Sequence, residues 1–151
     1  LVGSEMCIRE SAKGTLVLVT RNPACRGAKV ELLAARRVAL ANPSLAPYGT
    51  AAREAHVSLG LWEELEKRVA FGENIGQAHA LFATGNADVA LIAASQRQAG
   101  ETVCPIDPSL HQPSRQDAVR LSDNRIAHRF LEFLQSADAD AIIAADGYVT
   151  R

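Results

Sequence analysis

Short apolar runs alternate with amphipathic segments along the chain up to residue 100. The runs are rich in β-branched or small apolar residues bounded by turn residues, which predicts strands at 15–20, 37–41, 68–71 and 89–93. Apolar residues at three- and four-residue spacing predict helices at 48–59 and 75–85. This alternating order predicts an α/β fold, with a parallel-sheet βαβαβ unit between residues 37 and 93.

The pattern changes after Gly100. A strand is predicted at 102–106, and prolines at 105, 108 and 113 mark an irregular connection. A strand-like run at 116–121 then precedes two predicted helices, at 124–135 and 137–145. The first of these helices carries an apolar face, made of Ile126, Phe130, Phe133 and Leu134.

Composition narrows the class of protein. The chain has 151 residues, a formal net charge of −1 and 48% hydrophobic residues, which is typical of a compact globular domain. The charge is balanced and no cluster of Lys or Arg occurs, so nucleic acid is not an expected partner. The sequence contains no run of 18 apolar residues, so no membrane-spanning helix is predicted.

The three cysteines are Cys7, Cys25 and Cys104. They show no C-x-x-C spacing, which argues against a zinc site, and their odd number argues against a disulfide framework. We therefore expect small apolar packing residues or free thiols.

Residues 1–11 do not resemble the start of a domain. They resemble a translated sequencing-adapter peptide, so we interpret them as a non-native extension and leave them out of the fold prediction. In a fragment of this kind, a signal peptide is not expected.

Two turns follow predicted strands and open predicted helices. The first covers residues 42–48 and the second residues 72–75. In a parallel sheet, both would place a helix N-terminus, with its unbonded N–H donors, at the carboxyl edge of the strands. This arrangement suits a tetrahedral anion. The alternative is that these are ordinary βα loops without a ligand.

The same two turns carry a family resemblance. They read A-P-Y-G at residues 46–49 and E-N-x-x-Q at residues 73–77. Further agreement lies in A-T-G-N-A-D at 83–88, R-Q-D-A-V at 115–119, and the A-I-I and G-Y segments near the end. In order and spacing, these motifs resemble the periplasmic molybdate-binding proteins of ABC importers. The resemblance implies a periplasmic-binding-protein-like, two-lobed venus-flytrap fold of type II, with the oxyanion enclosed between the lobes.

The resemblance implies two ligand residues in this chain. Tyr48 would donate from its hydroxyl or backbone N–H, and Ile75 from its backbone N–H. Asn74, Gly49 and Gly76 would have supporting roles, and Asn74 is expected to be a helix cap. A metal would enter this site only as the molybdate or tungstate oxyanion, and no cofactor is implied.

The resemblance also implies an organisation into lobes. Residues 12–107 would form the second lobe, and residues 108–151 the returning strand and C-terminal helices of the first. The family has a further N-terminal segment that supplies most of the first lobe and other ligands. This chain would thus be a C-terminal fragment with about half of the cage. Some relatives have a tyrosine ligand where Ala93 stands here.

The function implied is that of a periplasmic substrate-binding subunit, a monomer when full length, which presents the oxyanion to an inner-membrane ABC permease. One alternative is the ligand-sensing domain of a transcription regulator with the same fold. Another is an enzyme, for which the chain shows no nucleophile–base pair, so we expect no catalysis. His79 lies near the proposed site and is expected to be a surface or interface residue.

Overall fold

The structure is a computed structural model that describes residues 8–150, and these residues form two compact units. The larger unit spans Thr15–Ser114, and the smaller combines the described residues up to Gly14 with those from Arg115 onwards. The larger unit includes residues 108–114. In this segment, Leu110 packs against the core of the unit, and its carbonyl accepts a 2.9 Å hydrogen bond from Ser58 Oγ.

The elements of regular structure follow in chain order. The strands are β1 (Ile8–Gly14), β2 (Leu16–Thr20), β3 (Val38–Ala41), β4 (Val69–Gly72), β5 (Val89–Ala93), β6 (Thr102–Pro105) and β7 (Ser114–Val119). The helices are α1 (Ala28–Ala34), α2 (Pro47–Ser58), α3 (Trp62–Leu65), α4 (Ile75–Ala83), α5 (Arg125–Phe133) and α6 (Ala137–Ala145).

The larger unit is built on a five-stranded sheet of order β4-β3-β5-β2-β6. Strand β3 pairs in parallel with both β4 and β5, so β3, α2, β4, α4 and β5 form the predicted parallel βαβαβ unit. Strand β2 runs antiparallel to both of its neighbours, which makes the whole sheet mixed.

Helices cover both faces of this sheet. Alternate residues of each central strand point to opposite faces, and the two faces form separate apolar clusters. The larger core cluster contains Leu18, Leu40 and Leu91 together with residues of α1 and α2, and the smaller contains Val19, Ala39 and Ile92 with Phe82 of α4. Burial on both faces explains why β2, β3 and β5 read as continuous apolar runs.

Asp88 ties together the amino ends of β3 and β5. Its Oδ2 accepts hydrogen bonds from the backbone amides of Arg36 (2.8 Å) and Arg37 (3.1 Å). Burial raises the pKa of the Asp88 carboxyl, but these hydrogen bonds and the Arg36 guanidinium outweigh it and hold the pKa below its usual range. The aspartate of the A-T-G-N-A-D motif therefore has a structural role.

In the smaller unit, β1 and β7 form a two-stranded sheet. Lys13 and Val149 add an antiparallel bridge, in which each backbone amide donates to the other residue's carbonyl at 2.8 and 2.9 Å. The apolar face of α5 is exposed, with Ile126 82% and Phe130 57% accessible. No helix in the described part of the chain is both long and apolar enough to cross a membrane.

The structure describes only part of residues 1–11, which we interpret from the sequence as a non-native extension. Residues 1–7 lie outside the part that the structure describes. Residues 8–11 belong to β1, where Ser11 Oγ donates a 2.9 Å hydrogen bond to the carbonyl of Gln116.

The expectation of unpaired cysteines is wrong for two of the three. Cys25 and Cys104 form a disulfide whose Cα atoms are 5.6 Å apart, although 79 positions separate them in the sequence. The sheet creates this proximity, because β6 pairs with β2 and Cys25 lies in the segment after β2. Cys7 lies outside the described residues.

Candidate functional site

The two loops that open the predicted site begin side by side. Strands β3 and β4 are in parallel register up to their last residues, where Ala41 faces Gly72. Beyond that pair, the backbone amide of Asn42 donates a 2.7 Å hydrogen bond to the carbonyl of Gly72. Both loops therefore leave from the same edge of the sheet, and the helices that follow them both begin there.

Local hydrogen bonds fix the first loop. Asn42 Oδ1 accepts from the backbone amide of Ser44 at 2.9 Å, as in an Asx turn. The carbonyl of Asn42 accepts from the amides of Leu45 and Ala46, both at 3.0 Å. Thr50, in the first turn of α2, donates from Oγ1 to the carbonyl of Pro43 at 2.9 Å. The start of α2 is thus held in place from within its own loop.

Gly49 allows α2 to begin directly against the end of β3. A Cβ at this position would lie 2.3 Å from the carbonyl oxygen of Ala41, closer than real atoms approach. Tyr48 precedes it as the second residue of the helix. The Tyr48 side chain is half-buried and packs against the larger core cluster, and its hydroxyl oxygen is shielded from solvent.

Two side-chain hydrogen bonds hold the second loop at the start of α4. Asn74 is the N-cap of α4, and its Oδ1 accepts a 3.0 Å hydrogen bond from the amide of Gln77. Gln77 in turn accepts from the amide of Glu73 at 2.8 Å through Oε1. The interpretation of Asn74 as a helix cap is confirmed. The loop that presents Ile75 and Gly76 is therefore held from both sides.

The structure places Tyr48 and Ile75 in the first turns of two helices that begin at the same edge of the sheet. They are the second residue of α2 and the first residue of α4. The opening amides of a helix have no carbonyl partner inside the helix, and each helix start carries about half a unit of positive charge. Gly49 and Gly76 are the next residues of the same two helices, and the amide of Gly49 already donates a 2.9 Å hydrogen bond to the carbonyl of Ala46. Two helix starts at one edge of a sheet can bind an anion through neutral backbone donors.

His79 departs from the expectation. It was expected on a surface or at an interface, but it is 7% exposed, and its Nε2 lies 2.7 Å from Oε1 of Glu101. This pair connects α4 to the segment before β6. The expectation was wrong because the partner lies 22 positions later in the sequence, beyond the reach of a local pattern.

Sequence reasoning also missed the role of Gln77. Its contact with Glu73 is a variant of the capping box, in which a polar side chain three residues after the N-cap bonds back to the chain before the helix. The spacing of Asn and Gln in E-N-x-x-Q was the available signal. Within residues 8–150, no group of three or more His, Cys, Asp or Glu side chains could hold a metal ion.

Comparison with known proteins identifies the family of this chain. Residues 8–149 match the family described as bacterial extracellular solute-binding protein. The chain is 39% identical over 147 residues to the molybdate-binding protein ModA of Rhodobacter capsulatus, covering 93% of this chain and 58% of that protein. It is 36% identical to ModA of Azotobacter vinelandii, covering 91% of this chain and 59% of that protein.

A solved structure gives the same result. The periplasmic molybdate-binding protein of Azotobacter vinelandii superimposes with a TM-score of 0.80 at 30% identity, covering 99% of this chain and 70% of that one. The chain spans less than two thirds of the two curated relatives. A family match over almost the whole chain and a shared fold lead to one conclusion: this chain belongs to the bacterial extracellular solute-binding proteins.

Proposed function

We propose that this chain provides half of the oxyanion cage in the substrate-binding subunit of a molybdate or tungstate ABC importer. The observation that carries the proposal is the 2.7 Å hydrogen bond from Asn42 to Gly72, which sets the starts of α2 and α4 at one edge of the sheet. Tyr48 and Ile75 occupy those starts. Two relatives of this chain carry the name molybdate-binding protein, which supports the choice of ligand.

The cage would recognise its ligand with neutral groups. Ile75 would donate from its backbone amide, and Tyr48 from its hydroxyl or its backbone amide. A rigid ring of such donors fits one oxyanion radius and leaves donors unpaired around a smaller ion. Selectivity for molybdate or tungstate over sulfate would follow from size, because all three ions are tetrahedral dianions.

The remaining donors would come from a segment outside this chain. The curated relatives extend well beyond the part matched here, since the chain spans 58% and 59% of their lengths. In the proposed protein, the first lobe, most of which comes from that segment, would close over the edge that carries Tyr48 and Ile75. A dianion held by one lobe alone would keep water on its open face, where each hydrogen bond contributes little.

The protein would act without a chemical step or a cofactor. It would capture the oxyanion as a monomer in the periplasm and present it to an inner-membrane permease, with no role for nucleic acid. The Cys25–Cys104 disulfide supports a location outside the cytoplasm, where such bonds persist. It also argues against the alternative of a cytoplasmic transcription regulator.

A thermal-shift experiment tests the proposal. Protein expressed from the complete gene is heated with molybdate, tungstate, sulfate or phosphate at equal concentration. A ligand that binds only the folded state raises the melting temperature, and at equal concentration the ligand that binds more tightly raises it more. We expect molybdate and tungstate to raise it and sulfate and phosphate to leave it near the ligand-free value. Stabilisation by sulfate equal to that by molybdate would contradict the proposal.

A further inference from the structure

Helix α4 begins with Ile75, and its buried side chains are Ala78, His79 and Phe82. Phe82 belongs to the smaller core cluster, against which Ile75 also packs. Apolar contacts of this kind have no preferred direction, so they hold the helix on the sheet more firmly than they fix its rotation. Among these buried side chains, His79 is the one that can make a directional contact.

His79 makes that contact with Glu101. Its Nε2 lies 2.7 Å from Oε1 of Glu101, and the two side chains are only 9% and 13% exposed. The carboxylate is itself held in place, because its Oε2 accepts a 2.8 Å hydrogen bond from the backbone amide of Gln98, and the Glu101 amide donates to the Gln98 carbonyl at 3.3 Å. Glu101 is therefore a fixed partner for the helix, just before the edge strand β6.

The other flank of α4 is in close contact with β4. A Cβ added to Gly72, the last residue of β4, would lie 2.6 Å from the backbone nitrogen of Ala78 and 2.8 Å from Cβ of Gln77. Strands β4 and β6 are the two edge strands of the five-stranded sheet, so these contacts reach α4 from opposite sides. Backbone contact on one side and a hydrogen bond on the other limit rotation of the helix about its axis.

The last turn of α4 has a separate anchor. Arg21 Nη2 donates a hydrogen bond to the carbonyl of Phe82, and the guanidinium carbon lies 4.7 Å from the centroid of the Phe82 ring. This anchor holds the end of the helix. The pair of His79 and Glu101 lies nearer to the start, since His79 is one turn after Ile75.

We propose that His79 and Glu101 are positioning residues of the oxyanion site, which fix the direction of the Ile75 amide without touching the ion. The inference rests on the proposed function, in which that amide is a ligand. Cα atoms lie about 2.3 Å from a helix axis, so rotation of α4 by about 20° would move the Ile75 backbone by about 0.8 Å. A preorganised site tolerates about 0.5 Å. Loss of the pair should therefore misdirect one donor of the cage.

A role in packing alone predicts a different pattern of substitutions. The His79 ring stacks on that of Phe82 at a centroid distance of 6.5 Å. If His79 only fills space there, leucine should replace it at least as well as glutamine. If its hydrogen bond to Glu101 positions α4, glutamine should replace it better, because the glutamine amide nitrogen can still donate.

Titration calorimetry with molybdate separates the two roles, on protein from the complete gene and at a temperature at which every variant is folded. We expect His79→Leu and Glu101→Ala to bind about fivefold to tenfold more weakly than the parent protein, as for one misdirected donor, and His79→Gln to stay within about twofold. In the control, Asp88→Asn changes a carboxylate that holds backbone amides before β3, and affinity should not change. Parent-like affinity of His79→Leu, or equal losses in His79→Leu and His79→Gln, would overturn the inference.

Amide signals of the ligand-free protein test the same inference without an ion. In proton–nitrogen correlation spectra, Glu101→Ala should shift the signals of Ile75 and Gly76, and Asp88→Asn should leave them in place. Unchanged signals in Glu101→Ala would overturn the positioning role, whichever ion the protein binds. If the parent protein binds no oxyanion while these signals shift, the proposed function is wrong and the pair still positions α4.

Discussion

The backbone amide of Asn42 lies 2.7 Å from the carbonyl oxygen of Gly72 and donates a hydrogen bond to it. This bond continues the parallel ladder between β3 and β4 one step beyond the last strand pair. As a result, the two loops begin at a fixed spacing, and neither helix start can shift without disturbing the sheet. A cage for one size of ion needs such preorganised donors.

Replacement of Tyr48 by Phe tests the hydroxyl as a ligand. The hydroxyl oxygen is shielded from solvent, and a hydrogen bond to a charged oxygen in such surroundings contributes more than one in water. We expect Tyr48→Phe to weaken molybdate binding by about 1–3 kcal/mol in protein from the complete gene. The control is Tyr148→Phe, at the only other tyrosine of the chain, which should leave affinity unchanged. If Tyr48→Phe binds molybdate as tightly as the control, the hydroxyl is not a ligand, and any contribution of Tyr48 to binding comes from its backbone amide.

Replacement of Asn74 by Ala tests the cap of α4. The variant loses the 3.0 Å hydrogen bond to the amide of Gln77 and should lower the free energy of unfolding by about 1 kcal/mol. Because the cap also orients the amide of Ile75, molybdate affinity should fall.

The matched control is Asn124→Ala, which removes an asparagine cap of the same kind from α5, where Asn124 Oδ1 accepts from Ala127 at 2.8 Å. It should lower stability similarly and leave affinity unchanged. If Asn74→Ala also binds molybdate as tightly as the parent protein, the cap does not orient a ligand of the site.

Gly49→Ala tests the contact between α2 and the end of β3. The added Cβ would lie 2.3 Å from the carbonyl oxygen of Ala41, so the helix start must move. We expect a loss of about 2–3 kcal/mol in unfolding free energy, within the range measured for overpacking. In the control, Gly76→Ala, the nearest atom is Asn74 Oδ1 at 3.3 Å, and the loss should stay below about 1 kcal/mol. Denaturant melts of both variants measure the difference.

His56 predicts how stability depends on pH. The residue is fully buried in α2, beside the Trp62 ring, and burial lowers the pKa of its imidazole to about 4 from the usual 6.5. Between these values the unfolded chain binds a proton that the folded chain does not. The contribution of His56 is therefore present above pH 6.5 and is lost as the pH falls towards 4.

The expected loss over that window is about 3 kcal/mol. Denaturant melts at several pH values should show this loss of unfolding free energy in the parent protein and not in His56→Leu. His128→Gln, an exposed histidine in the smaller unit, should keep the parent's pH dependence. An unchanged slope in His56→Leu would place the acid sensitivity elsewhere.

Local patterns predicted the parts of the fold that depend on local physics. Residues 89–93 were predicted as a strand with the observed bounds, because a strand covered on both faces is apolar throughout. The placement of Tyr48 and Ile75 at two helix starts followed from turn residues between an apolar strand and an amphipathic helix. Their role as ligands stays a prediction.

Long-range features could not be predicted in this way. The Cys25–Cys104 bond and the His79–Glu101 pair join residues 79 and 22 positions apart, and each depends on where β6 enters the sheet. The antiparallel direction of β2 relative to β5 could not be predicted from its apolar pattern either. Parallel and antiparallel strands that are buried on both faces have the same composition. Such features arise from topology, which periodicity does not encode.

Titration calorimetry of molybdate and sulfate, on protein from the complete gene, tests the central claim most directly. Both ions are tetrahedral dianions, so a site that recognises charge alone would bind them equally. A rigid cage that contains Tyr48 and Ile75 should bind molybdate at least about tenfold more tightly, since each donor left unpaired by the smaller ion costs about 1–3 kcal/mol. Equal affinities for the two ions, or no measurable heat with molybdate, would contradict the account.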